Sequence, residues 1–375
     1  MDTEERFQLI TKDTEEVLTQ EDLRWMLQAG VPLKHYIGFE VSGKVHLGTG
    51  LMTGKKIADL QKAKVQCTCY LATWHAWINN KFGGDLDIIR KASAYFAESL
   101  KSSIRVMGGD PEKVSFITGD ELYHHNDLFW ETTIDVAKHM TLNRAMRAIS
   151  IMGREEGGEV PLAFLLYPPM QVADIFVQGV NLAHAGMDQR KAHVVAREVA
   201  TKIRNPLRHD KKPYKPVAIH HHLIMGLQKP TQWPFPIGQE ETGIKESMKM
   251  SKSITGSAVF VHDTPDEIQQ KMMTAFCPEG EVGYNPVLDW AKHLLFAKSK
   301  FVLNIERPAK FGGNTSFHTY AELEQAVAKK QLHPLDLKKA MAQAITDLLD
   351  PVRTHFAKGK PKKLLEEVKS FLVSR

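Results

Sequence analysis

Apolar positions recur along this chain with two alternating periods. Residues 2 to about 30 carry them at helical spacing up to Ala29-Gly30 and Pro32, which predicts one or two amphipathic helices. His35-Tyr36-Ile37-Gly38-Phe39-Glu40 is short, apolar and bounded by turn formers, the pattern of a buried strand. A glycine-rich stretch from Val41 to Gly50 comes next, and then Leu51 to Lys64 returns to helical period. Strand, glycine-rich turn, helix is the layout in which backbone N–H groups at a helix start receive phosphate. Val65 to Leu71 and Val114 to Thr118 predict two more strands, separated by a helix from Leu86 to about Val106. Short apolar strands alternating with helices of a dozen residues or more predict an α/β domain with a parallel, doubly wound sheet. Sites in such sheets lie at the carboxyl ends of the strands.

From about 123 to 160 the pattern is helical and then polar, and we read it as a helical insertion between two halves of the sheet. Leu162 to Val180 predicts a helix and Val180 to His184 a strand. Gly186 to Lys191 reads as a loop entering a helix, and Pro216 to Met225 as a further strand. Trp233 to Ile244, rich in Pro, Gly and polar residues, reads as a mobile approach to the lysine-bearing segment at 249–253. A second domain is expected from 263 to 375. Thr264-Pro265-Asp266-Glu267 is a capping box with proline at the first helical position. Thr319-Tyr320-Ala321-Glu322 repeats the signature, and Pro334 opens a helix to about Leu349. This half therefore reads as all-helical, with a basic tail from Lys358 to Lys363.

Composition narrows the picture. With 375 residues, 43% hydrophobic and 25% charged, the chain is long enough for two domains without covalent staples. No apolar run approaches the roughly 20 residues of a membrane span, and the acidic, helical amino terminus is unlike a targeting signal. The expected location is the cytoplasm, with no membrane partner. Three cysteines, Cys67, Cys69 and Cys277, make no disulfide framework and are expected reduced. A net charge of +5, gathered in basic patches, permits an anionic polymer as partner. His220 to His222 could suggest a metal, but consecutive strand residues point to alternating faces, so no protein metal site is expected.

Two segments carry the candidate chemistry. Lys249-Met250-Ser251-Lys252-Ser253 sets two ammonium groups three positions apart with hydroxyl residues between them, a segment able to close over polyphosphate. Taken alone it also fits an ordinary solvated loop. His46-Leu47-Gly48-Thr49 comes after the first buried strand, with Gly43 in the same turn. The two segments bracket one Rossmann-like domain, and together they resemble the HIGH and KMSKS signatures of class I aminoacyl-tRNA synthetases. The second matches fully. The first departs at its last letter, where Thr49 replaces histidine but can still offer a hydroxyl hydrogen bond.

Tyr167, Gln171 and Asp174, at i, i+4 and i+7, share one face of an otherwise apolar helix. Polar groups buried there need partners, though a polar edge of a packed helix would have the same spacing. Tyr167-Pro168-Pro169-Met170-Gln171-Val172-Ala173-Asp174 resembles the tyrosine-pocket helix of archaeal and eukaryotic tyrosyl-tRNA synthetases. Tyr36 to Glu40 and Gly186 to Lys191 also match that family, and the similarity runs from about residue 33 to 356.

The resemblance implies a role for each matched position. Tyr36 and Asp174 would hold a substrate phenol, while Tyr167, Gln171 and Gln189 would hold its α-amino group. His75 would line the pocket, Glu40 would stand behind it, and Thr73 occupies a position where the family more often has aspartate. His46, Thr49, Lys249 and Lys252 would act on the phosphates. Gly43, Gly48, Met250, Ser251 and Ser253 would complete the ATP site, with Mg²⁺ arriving on ATP. Phe311, His333 and Asp336 resemble the family's anticodon reader, while Arg147, Arg190 and Lys191 match positions near the first acceptor-stem pair. The implied protein is a homodimeric ligase joining L-tyrosine to tRNA(Tyr). The alternatives are a tryptophan-specific member of the class, or an inactive RNA-binding relative.

Overall fold

In the computed structural model the described residues are 1–153, 160–230, 233–235, 244, 247–252 and 256–373. The sheet strands are β1 (Thr14–Leu18), β2 (Lys34–Phe39), β3 (Gln66–Leu71), β4 (Val114–Thr118), β5 (Leu182–Gly186) and β6 (Val217–His221). Their spatial order is β1-β6-β5-β2-β3-β4, parallel throughout except for β1, which runs antiparallel to β6. The chain builds outward from β2 to β3 and β4, then crosses back to lay β5 on the other side of β2. That reversal opens a crevice at the carboxyl ends of β2 and β5, where ligands bind in such sheets.

The helices before β5 are α1 (Thr3–Thr11), α2 (Gln20–Gln28), α3 (Thr53–Lys62), α4 (Thr73–Ile78), α5 (Leu86–Val106), α6 (Gly119–Tyr123), α7 (Asp127–Lys138), α8 (Leu142–Ala148) and α9 (Leu162–Val177). Next come α10 (Arg190–Val199), α11 (Pro265–Thr274), α12 (Pro286–Trp290), α13 (Tyr320–Ala328), α14 (Pro334–Phe356) and α15 (Gly359–Val373). The capping boxes at Thr264 and Thr319 are both formed.

Two glycines set how closely the turn after β2 docks. A Cβ on Gly54 would lie 2.6 Å from the Ser103 carbonyl oxygen, and one on Gly50 would lie 2.7 Å from Val261 and Ser103. Backbone contact between α3 and α5 is possible only without those side chains.

The structure departs from the sequence reading in four places. Residues 14–18, expected as helix, form the edge strand β1. Its Glu15 and Glu16 reach histidines at the end of β6 and just past it: Glu15 Oε1 lies 3.0 Å from His222 Nδ1, and Glu16 Oε2 3.0 Å from His220 Nδ1. The carboxyl-terminal half adds a hairpin, Leu303–Ile305 with Thr315–Phe317, to its helices. The basic tail is the first turn of α15, which buries Leu364, Leu365 and Val368. Finally, α14 runs on to Phe356, past the expected end near Leu349, and that ring packs 5.8 Å from Tyr95 of α5. The polar loop expected over residues 153–158 and the approach over 233–244 fall mostly outside the described residues, as does Ser253. The three cysteines are free thiols.

Candidate active site

The crevice is a cleft of about 610 Å³ whose floor is the ends of β2, β3 and β5. Its deep end is aromatic and acidic. Asp174, 1% exposed on α9, has Oδ1 accepting a hydrogen bond from Tyr123 Oη at 2.8 Å. Tyr70 donates in turn to Tyr123 Oη, and His75 Nδ1 lies 3.3 Å from the same oxygen. Burial pushes the Asp174 carboxyl well above the usual carboxylate range, against the Tyr123 hydrogen bond. Tyr36 stands on β2 beside Tyr70, its ring centroid 6.3 Å away, and Tyr167 meets the His75 ring edge-on at 4.4 Å.

One wall comes from α9 and the turn after β5. Gln171 Nε2 donates to Gln189 Oε1 at 3.2 Å, and Gln189 Nε2 donates to the Ile151 carbonyl at 2.9 Å. Gln171 Oε1 is buried without a partner among the described residues. The Glu40 oxygens accept from Asn79 Nδ2 at 2.7 and 3.1 Å, with Lys81 Nζ 3.6 Å away. Burial raises the Glu40 carboxyl, against the pull of Lys81.

At the mouth, main-chain pairing joins the histidine turn to the segment that follows the lysine motif. Leu47 N–H donates to the Val259 carbonyl at 3.0 Å and Val261 N–H to the Val45 carbonyl at 3.0 Å. Thr49 N–H donates to His46 Nδ1 at 3.3 Å. A backbone N–H can only donate, so Nδ1 is the acceptor and the ring proton sits on Nε2, 3.2 Å from Thr49 Oγ1. Burial, with the Lys252 ammonium, pushes the His46 pKa down to about 3, so the ring is neutral at physiological pH.

Facing it, Met250 N–H donates to the Ile224 carbonyl at 2.7 Å, which registers the lysine segment against 224–226. Met250 is buried and lines the cleft. Lys249 Nζ donates to Asp188 Oδ2 at 3.3 Å. Lys252 Nζ donates to the Ser42 carbonyl and lies 5.1 Å above the Phe96 ring. Burial pulls the Lys252 pKa down to about 7, with Glu40 opposing and Lys81 assisting. Gly43, Gly48 and Ser251 line the same opening.

The cleft thus unites Tyr36, Glu40, Gly43, His46, Gly48, Thr49, His75, Tyr167, Gln171, Asp174, Gln189, Lys249, Met250, Ser251 and Lys252. Thr73 is different. It is fully buried at the start of α4, its hydroxyl 2.8 Å from where a Gly119 Cβ would sit, and it does not reach the cleft. Tyr70, Tyr123 and Asp188 were missed by the sequence reading. Tyr70 is on β3 and Asp188 just past β5, and their place at the carboxyl ends of strands was the available signal, whereas Tyr123 ends α6 and carries no local signal.

The remaining predicted residues lie elsewhere on the surface. Arg147, Arg190 and Lys191 are exposed around the α8–α10 face. There Arg190 pairs with Glu16 at 2.9 Å and Lys191 donates to Ser150 Oγ at 2.8 Å. Phe311 is 60% exposed in the hairpin loop, and His333 caps α14 by accepting from Leu335 N–H at 3.1 Å. Asp336 sits in the first turn of that helix. Arg307 ties the two segments together, donating to the Gly313 carbonyl at 2.7 Å and to the Gln331 carbonyl at 3.0 Å.

A doubly wound sheet with a histidine turn paired to a lysine segment across its switch point is the architecture of a class I synthetase. A sequence model for tRNA synthetases class I (W and Y) matches residues 28–350, and the chain belongs to that family. It is similar to the tyrosine–tRNA ligase of Thermococcus sibiricus, 56% identical over 98% of this chain and 99% of that one. Among solved structures it is similar to Pyrococcus horikoshii tyrosyl-tRNA synthetase complexed with L-tyrosine. That likeness has 53% identity and a TM-score of 0.93, covering 98% of this chain and 100% of that one. The tyrosyl-tRNA synthetase of Aeropyrum pernix is similar at 38% identity and a TM-score of 0.83, covering 99% and 100%.

Proposed function

We propose that this chain is a tyrosine–tRNA ligase that activates L-tyrosine with ATP and transfers it to the 3′ end of tRNA(Tyr). The observation that carries the reading is Asp174, a buried carboxylate at the closed end of a cleft whose open end holds His46 and the two lysines. Tyr36 and Asp174 take the phenol hydroxyl, and Tyr167, Gln171 and Gln189 take the α-amino group. Phenylalanine would leave these polar groups unpaired, a penalty of roughly 10⁴ to 10⁵ in kcat/KM. An indole N–H can donate to Asp174 but offers no oxygen to accept from Tyr36, so tryptophan satisfies only part of a pocket that a phenol hydroxyl fills.

In the first step a tyrosine carboxylate oxygen attacks the α-phosphorus of ATP, the bond to the bridging oxygen breaks, and pyrophosphate leaves. No protein nucleophile takes part. The neutral His46 donates from Nε2, a proton position fixed by Thr49 N–H. Lys249 and Lys252 supply positive charge as it is needed on the phosphates, and Mg²⁺ enters as part of the ATP substrate. Gly43, Gly48 and the main chain of Met250 and Ser251 shape the ATP site. In the second step a ribose hydroxyl of the terminal tRNA adenosine attacks the tyrosyl carbonyl and releases AMP.

The tRNA lies across two surfaces. Arg147, Arg190 and Lys191 face the acceptor stem. Phe311 stacks an anticodon base, and His333 and Asp336 read beside it, held together by Arg307. We place the catalytic domain at 1–262 and the anticodon-binding domain at 263–375. The helices between β4 and β5 expose Ile134, Leu142 and Leu162 at 63%, 64% and 79%, an apolar face suited to a second copy of the chain. The protein acts as a homodimer in the cytoplasm. Among the described residues no helix is long and apolar enough to cross a membrane.

Charging assays test the function. Tyrosine should be esterified to tRNA(Tyr) and tryptophan should not; charging of tRNA(Trp) with tryptophan would replace this reading with the tryptophan-specific one.

A further inference from the structure

The lysine segment does not hold its own height above the cleft; it is registered against 224–226, where Met225 pairs antiparallel with Lys249. Gly226 N–H donates to the Met248 carbonyl at 2.7 Å, and Met250 N–H to the Ile224 carbonyl at 2.7 Å. Met225 is in turn gripped at both main-chain groups by successive residues of α12. Its N–H donates to Asp289 Oδ2 at 2.9 Å, and its carbonyl accepts from Trp290 Nε1 at 2.8 Å. The other Asp289 oxygen accepts from His222 Nε2 at 2.7 Å, while His222 Nδ1 faces Glu15 of β1 at 3.0 Å. Met225, Asp289, Trp290 and His222 are all buried, with Trp290 fully so, and water cannot substitute for these bonds.

His222, Asp289 and His293 also bring ligating atoms within 4.8 Å of one another. The two imidazoles are stacked, 4.1 Å between centroids and 17° between planes, so their in-plane lone pairs do not converge on one ion. Both His222 nitrogens already face carboxylates. The cluster is a brace around Met225.

We propose that Asp289 and Trp290 are positioning residues for amino-acid activation, fixing Met225 and through it the main chain of Lys249. The inference rests on the reading that Lys249 and Lys252 stabilise phosphate during activation. Neither α12 residue contacts Asp174, Gln171 or Gln189, so their effect falls on the activation rate and not on tyrosine binding.

Tyrosine-dependent pyrophosphate exchange on the full chain tests this. Asp289→Ala and Trp290→Phe each remove one buried hydrogen bond to the Met225 main chain and should each slow kcat about tenfold, with KM for tyrosine within about twofold. Trp290→Phe keeps the ring packing and removes one donor, so it reports even if Asp289→Ala does not fold. Asp289→Asn should recover most of the rate, its carbonyl accepting from Met225 and its amide donating to a neutral His222. In a Lys249→Ala background Asp289→Ala should add less than about twofold, because both act through the same lysine. Unchanged rates, a parallel rise in KM for tyrosine, or full additivity with Lys249→Ala would overturn the proposal. If the wild-type protein shows no tyrosine-dependent exchange, the functional reading falls first and the inference falls with it.

Discussion

Tyr123 Oη donates to Asp174 Oδ1 across 2.8 Å, and both residues are buried. The pair comes from separate parts of the chain, the end of α6 and the last turn of α9, and Tyr70 extends it with a second hydroxyl. Burial resists ionisation of Asp174, and the Tyr123 hydroxyl opposes that resistance. Tyr123→Phe should therefore weaken the acceptor that selects the substrate phenol. We expect KM for tyrosine to rise about tenfold and the preference for tyrosine over phenylalanine to shrink, as for the loss of one buried hydrogen bond. Exchange kinetics with each amino acid check both.

Lys252 gives the ATP step a pH dependence. Its pKa is about 7 without nucleotide because burial disfavours the ammonium, while bound phosphates would favour it. The ATP-bound pKa is thus the higher, and ATP binding takes up a proton above pH 7. Binding is strongest below the free value and weakens as pH rises toward the bound value. KM for ATP should climb between pH 7 and 9 by up to about tenfold per unit, and Lys252→Arg, which stays charged, should flatten that slope. Identical slopes would show that another group carries the charge.

His222 links pH to stability. Burial lowers its basicity, but hydrogen bonds to Asp289 and Glu15 more than offset this and bring the pKa to about 9, with His293 stacked alongside. The folded value lies above the ordinary histidine value near 6.5. Its contribution is therefore complete below about pH 6.5 and is lost as pH rises through 9, on the order of 3 kcal/mol in all. Thermal melts should fall in Tm over that window, and His222→Gln should remove most of the slope.

The apolar face on the helices between β4 and β5 predicts association. Ile134→Glu or Leu162→Glu, both on exposed positions, should leave folding intact and shift the protein from dimer to monomer in sedimentation. A wild-type monomer, or a variant that sediments unchanged, would rule out a dimer through this face.

How far each sequence signal reaches decides how much of the molecule was legible in it. The β2 strand, the glycine turn with His46, and the Tyr167–Gln171–Asp174 face are local patterns, and each lies in the cleft. β1 was hidden because its residues, Thr-Glu-Glu-Val-Leu, lack an apolar alternation. It is an edge strand whose glutamates are satisfied by histidines some two hundred residues away. Tyr70 and Tyr123 carry no distinguishing spacing in the sequence, and only the fold sets them beside Asp174. Thr73 entered through the family resemblance, at a position where aspartate is more common, but at the start of a helix adjacent residues face different ways, and Thr73 turns toward Gly119 while His75 lines the cleft. The hairpin bearing Phe311 has strands of three residues each, too short to carry a period.

Selection of tyrosine by Asp174 and its activation by His46, Lys249 and Lys252 are assigned to one cleft, and a single assay reads both. Pyrophosphate exchange into ATP would be measured with tyrosine, tryptophan and phenylalanine supplied separately, for the wild type and for Asp174→Ala. Exchange is expected with tyrosine, poorer by roughly 10⁴ with phenylalanine, absent with tryptophan, and reduced by about 10² or more with tyrosine in the variant. Exchange driven by tryptophan, or tyrosine exchange indifferent to Asp174, would contradict the assignment.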